Sequence, residues 1–105
     1  MPTPKEIGNA GVGYVVEHLK GQGYVIDKWD IHASGLGDIE AHGEGKKIRV
    51  QVKSALTDEP SNLSAKEQRN LTSRAKTHGA IAWEAKVIVN TTLDLIGDIR
   101  WRQLD

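Results

Sequence analysis

The sequence contains no cysteine. Disulfide bridges, thiolate metal sites and cysteine nucleophiles are therefore excluded, and the composition suits a reducing compartment, so a cytoplasmic location is expected. No apolar run reaches the roughly 18 residues that a membrane-crossing helix needs, so no membrane partner is expected. Met1-Pro2-Thr3-Pro4-Lys5-Glu6 carries no apolar stretch of the kind found in a secretory leader. Internal repeats, low-complexity tracts and interdomain linkers are also absent.

Net charge is lacking too, with 14 basic residues balanced by 14 acidic ones. The balance hides an asymmetry. Residues 1–45 hold three basic and seven acidic residues, whereas residues 46–76 hold eight basic and three acidic. The whole chain does not announce a polyanionic partner, but its middle third has the charge to contact one.

What is present suffices for one folded domain spanning residues 1–105. Apolar residues make up 38% and charged residues 27%, which excludes a wholly disordered chain of low hydrophobicity and high net charge. Val12, Val15, Val16 and Leu19 recur at steps of three and four, one face of a helix that Gly21 and Gly23 close. Gly8, Gly11 and Gly13 weaken its propensity. Either the helix starts near Ala10, or something packs close to its backbone.

Residues 24–31 are rich in strand formers, and Ser34-Gly35-Leu36-Gly37 reads as a turn. Asp38 to His42 and Lys46 to Lys53 alternate polar and apolar residues around Gly43-Glu44-Gly45, the pattern of an antiparallel hairpin. Ser64-Ala65-Lys66-Glu67 fits a capping box, predicting a helix to about His78 with Gly79 as its stop. Leu71 and Ala75 belong on the inner side of that helix. Ala80 to Val89 suits a strand buried on both faces, and a last strand includes Ile99 and Trp101. The order is αβββαβ with a further strand, an α/β fold in which two helices flank a mixed central β-sheet.

The chemistry-bearing residues lie on the hairpin. Alternation puts Gln51 and Lys53 on one face, opposite Ile48, Val50 and Val52. Pairing around Gly43–Gly45 brings Asp38 near the level of Gln51 to Lys53. A carboxylate, an amide oxygen and an ammonium on one patch suit metal-assisted phosphodiester hydrolysis. Asp38 and Gln51 offer oxygens to a hard cation such as Mg²⁺, with Mn²⁺ as a substitute. Lys53 can meet the attacking water or the charge that develops on the phosphate. As bare spacing, D-x₁₂-Q-x-K also describes polar residues at a strand edge.

In their order along the chain, Gly23-Tyr24-Val25, Ser34-Gly35-Leu36-Gly37-Asp38-Ile39-Glu40-Ala41, Ile48-Arg49-Val50-Gln51-Val52-Lys53-Ser54 and Leu63 to Ala80 resemble the PD-(D/E)XK nuclease superfamily, most nearly its small archaeal Holliday-junction resolvases. The resemblance covers roughly residues 9–90. It implies a restriction-endonuclease-like fold, Mg²⁺ dependence and cleavage of DNA, branched or junction DNA included. Asp38 takes the metal-binding aspartate position, Gln51 the glutamate position of the E-x-K element, and Lys53 that of the catalytic lysine.

Two positions depart from the family pattern. Gln51 replaces a glutamate, which resembles the Q-x-K form of methyl-directed restriction nucleases and removes one negative charge. The helix-one glutamate of the resolvases falls at Val12, and Glu17, about 150° from the centre of the apolar stripe, should face solvent. Glu40, on the Asp38 face, is the candidate third metal ligand. Ser34 matches a loop serine near DNA and Gln68 a helix-two glutamine near the site. Lys46, Arg49, Lys66 and Arg69 are candidate phosphate contacts. Each of these also reads as an ordinary surface residue. The four histidines lack metal-ligand spacing and are read as structural. Trp29, Trp83 and Trp101 are read as core or interface residues.

A domain this small covers little DNA and a junction is two-fold symmetric, so a homodimer is expected, with Trp101 or the fourth strand near the interface. The non-enzymatic alternative is a nuclease-fold module that binds DNA or protein without cleaving, and a third possibility is action on RNA.

Overall fold

The computed structural model describes residues 1–104. Helix α1 (Pro4–Gly21) begins at Thr3, whose hydroxyl accepts from Glu6 N while the Glu6 carboxylate accepts from Thr3 N at 2.9 Å. Proline at the first helical position lacks only an N–H that would have no helical partner there. The helix thus starts at Pro4, not near Ala10, and two of its glycines serve close packing. Gly8 lies against the backbone of Gly35, and Gly11 faces Ser54. Val12, Val15 and Leu19 are buried, as the periodicity predicts, and Glu17 is exposed.

Five strands follow the expected order: β1 (Val25–Ile31), β2 (Gly37–Gly43), β3 (Lys46–Leu56), β4 (Ala80–Val89) and β5 (Arg100–Gln103). They lie in the sheet in chain order. β1–β2, β2–β3 and β4–β5 are antiparallel, and β3–β4 is parallel. A parallel pair needs a crossover, which is supplied by α2 (Ala65–Thr77), capped as expected by the reciprocal Ser64–Glu67 pair.

Alternation sorts the strand side chains between two faces. Ile39, Ala41, Ile48, Val50, Val52, Ala85 and Val87 pack under α1. Several are fully removed from water, and a side chain so buried contributes about 1.5–3 kcal/mol relative to exposure. The opposite face holds a smaller cluster, in which Leu71 and Ala75 of α2 meet Leu63 and Ala82. This second cluster covers only part of its face. The rest carries the charged residues of β2, β3 and β4. Trp83 and Trp101 meet edge-on with centroids 6.2 Å apart at the border of the main core, whereas Trp29 is 56% exposed on edge strand β1. Among the described residues no helix is long and apolar enough to cross a membrane.

Candidate active site

Strand register assembles the site. Asp38 pairs with Gln51 across β2–β3, and Gln51 with Glu84 across β3–β4. Glu84 in turn pairs with Arg102, while Asp30 of β1 pairs with Asp38. One transverse row on the face opposite α1 therefore reads Asp30, Asp38, Gln51, Glu84, Arg102. Two residues along the strands, about 7 Å away, lies a second row of Lys53, Lys86 and Arg100. A mainly acidic row runs beside a wholly basic one.

In the first row, Gln51 Nε2 donates to Asp38 Oδ1 at 2.8 Å and to the Gly37 carbonyl at 3.3 Å. His32 Nε2 donates to the other oxygen, Asp38 Oδ2, at 2.9 Å. Gln51 is buried, with 8% exposure, so its amide needs these partners. Glu84 is 1% exposed and its charge is compensated from two sides. Leu63 N donates to Oε2 at 2.9 Å, and Arg102 reaches both oxygens at 3.2 and 3.3 Å. Glu84 thereby ties the loop before α2 to the sheet beside Gln51.

In the second row, Lys53 Nζ donates to Ser61 Oγ at 3.3 Å and to the Asn62 carbonyl at 3.2 Å, with Glu67 3.9 Å away. Lys86 donates to the Asn62 side chain. The Glu67 carboxyl is held below the ordinary glutamate range, chiefly by the hydrogen bond from Ser64 N, with smaller help from the Ser64 hydroxyl and Lys53 and against the opposing effect of burial. Ser34 and Lys53 line one concave surface together with Pro60, Ser61 and Glu67.

The expected residues are thus distributed unevenly. Asp38 and Gln51 are bonded, and Lys53 follows two residues later on the same face, its ammonium turned to the 61–62 loop. Glu40 shares the Asp38 face, but its carboxylate accepts from Arg49 at 3.0 Å, which also commits Arg49. Gln68 donates to the Leu63 carbonyl at 3.0 Å and so steadies the loop. Lys46, Lys66 and Arg69 are exposed, Lys46 at the hairpin end and the other two on α2. Sequence reasoning missed His32, Glu84 and Lys86. A lone acid and a lone lysine inside the apolar run 80–89 were the available signal for the last two. His32 has no local signal, because its partner is chosen by β1–β2 pairing.

Among the described residues no three His, Cys, Asp or Glu side chains cluster as a metal site. The donors for a hard cation are instead the Asp38 carboxylate and the Gly37 carbonyl, two oxygens that already converge on the partly positive amide nitrogen of Gln51. One carboxylate with neutral oxygens is a sparse but sufficient set for Mg²⁺, which keeps several waters and takes one or two carboxylates with substrate phosphates.

The chain matches no protein-family model, and no curated protein matches it at a significant level.

Proposed function

We propose that the chain is a Mg²⁺-dependent endonuclease of the PD-(D/E)XK type that hydrolyses phosphodiester bonds in DNA. The observation that carries this reading is the bonded register pair Asp38–Gln51, with Lys53 two residues further along the same face. These are the elements of a D…Q-x-K site at one sheet surface. Asp38 and the Gly37 carbonyl would hold the cation, and Gln51 would join them only on turning its amide so that the oxygen replaces the nitrogen there. Once bound, that cation polarises the phosphoryl oxygen and lowers the pKa of a water. His32 and Gln51 fix the Asp38 carboxylate from both sides, so its orientation is set before any ligand arrives. Lys53 brings positive charge to the same surface, where it offsets charge developing on the phosphate. Its side chain is 16% exposed, so that charge is weakly screened.

A binding module without catalysis is the second reading. It is favoured by the commitment of Glu40 to Arg49 and of Glu84 to Arg102, which withdraws two of the site's carboxylates from a cation.

The deciding experiment is cleavage of labelled duplex, single-stranded and four-way-junction DNA, with RNA as competitor, in Mg²⁺, Mn²⁺ and EDTA. Metal-dependent cleavage that falls by about 10²–10³-fold or more in both Asp38→Ala and Lys53→Ala is expected. No cleavage of any substrate, with DNA binding intact in all three proteins, would replace the enzyme with the binding module.

A further inference from the structure

The second row contains more positive charge than one catalytic lysine requires. Lys53 and Lys86 are direct neighbours across parallel strands, and Lys86 faces Arg100 across the antiparallel pair. Like charges directly opposite one another destabilise a sheet. Lys86 is also largely buried, with its side chain 13% exposed. Such a row persists only with compensating anions, and here the main one comes from a loop. Glu59 lies 2.8 Å from Arg100 and 3.7 Å from Lys86, bridging the two cations while remaining 47% exposed.

An exposed carboxylate spanning two cations occupies the position that a doubly contacted phosphate oxyanion would take. We propose that Lys86 and Arg100 form a binding site for a backbone phosphate of DNA, and that Glu59 is its internal competitor, displaced when the strand arrives. Lys86 sits next to Lys53, so the phosphate bound there neighbours the one at the candidate active site. Arg100, 64% exposed at the sheet edge, marks the direction in which the strand leaves. The loop that carries Glu59 also supplies Ser61 and Asn62, partners of Lys53 and Lys86. Displacing Glu59 therefore releases both lysines toward the ligand. This inference rests on the DNA-binding half of the proposed function and not on cleavage.

The test is affinity for a short labelled DNA duplex in EDTA, measured across a salt series, with cleavage in Mg²⁺ followed separately. The variant Lys86→Gln/Arg100→Gln is expected to bind about tenfold more weakly and to lower the slope of log affinity against log salt by about 0.9, the release from one phosphate. Lys86→Arg should retain binding. Glu59→Gln, compared with the wild type under conditions where urea unfolding shows both fully folded, should bind about threefold more tightly once the competing charge is gone. Wild-type affinity and slope in the double variant, or no gain in Glu59→Gln, overturns the site. If the wild type cleaves DNA while the double variant binds normally, this proposal falls and the nuclease stands. Should the wild type bind without cleaving and the double variant lose affinity, the reverse holds. No DNA binding by the wild type removes both.

Discussion

Gly8 of α1 and Gly35 of the β1–β2 turn pack backbone against backbone. A Cβ built at Gly8 would collide with the Gly35 carbonyl oxygen, and one at Gly35 would collide with the Pro4 carbonyl. Gly35 also holds a φ of +91°, a conformation that side chains rarely adopt. The contact matters to the candidate site because the same turn carries Ser34 and leads into Asp38, and its hydrogen bonds run from Gly35 N to His32 O and from His32 N to Leu36 O.

Gly8→Ala and Gly13→Ala should therefore diverge in sign. Nothing lies within reach of a Cβ at Gly13, in the same helix. There alanine should stabilise by about 0.5–1 kcal/mol through helix propensity. At Gly8 the same change should destabilise by about 1–3 kcal/mol, since the backbone must move apart. Urea unfolding of the two variants measures this directly. Stabilisation at both positions would mean that α1 does not sit on the turn.

Gln51→Glu probes the cation site. It replaces the donor 2.8 Å from Asp38 with a second carboxylate in a buried position. Without a cation, the lost hydrogen bond and the repulsion should destabilise by about 1–3 kcal/mol. Added Mg²⁺ should restore much of this, raising the melting temperature of the variant more than that of the wild type. A melting temperature insensitive to Mg²⁺ in Gln51→Glu would remove the cation from this place.

Much of this geometry can be read from residue pattern, and the parts that cannot share a physical cause. The element order follows from local signals: the 3–4 spacing of Val12 to Leu19, two alternating runs around Gly43–Gly45, and the Ser64–Glu67 box. The hairpin loop is short, so it sets the β2–β3 register and brings Asp38 opposite Gln51. The parallel β3–β4 register has no such turn. It is set by how α2 packs, and without it Glu84 and Lys86 look like interruptions in an apolar strand. The start of α1 was hidden for another reason. Thr3 and Glu6 form a complete cap, but the glycines that follow argue against a helix until their packing partners are known. Trp29 shows the limit of composition, since its exposure follows from β1 being an edge strand.

Glu84 should behave as a structural hinge pin for the loop before α2. Glu84→Ala leaves Leu63 N without its acceptor and Arg102 without its partner, so a loss of about 3 kcal/mol is expected. Glu84→Gln keeps an acceptor for Leu63 N and should lose less. Hydrogen exchange at the Leu63 amide should accelerate strongly in the first variant and only modestly in the second. Equal exchange in both would mean that the loop is held from elsewhere.

The acid limb of stability should depend on Glu67. Its folded-state pKa is depressed, chiefly by the Ser64 N hydrogen bond. A depressed carboxyl contributes stability that is fully present above its unfolded value, about 4.3, and is lost as pH falls through the lower folded value. Glu6 shifts in the same direction through its bonds to Thr3, so both helix starts weaken together in acid. Glu67→Gln retains an acceptor for Ser64 N but cannot titrate. It should therefore be less stable than the wild type at neutral pH, with the difference closing once the wild-type carboxyl is protonated. Ser64→Ala should lose about 1 kcal/mol at neutral pH by removing the other half of the box. Urea unfolding of the wild type and both variants from neutral to strongly acidic pH follows the two effects, and an acid limb in Glu67→Gln as steep as that of the wild type would assign the acid loss to other carboxylates.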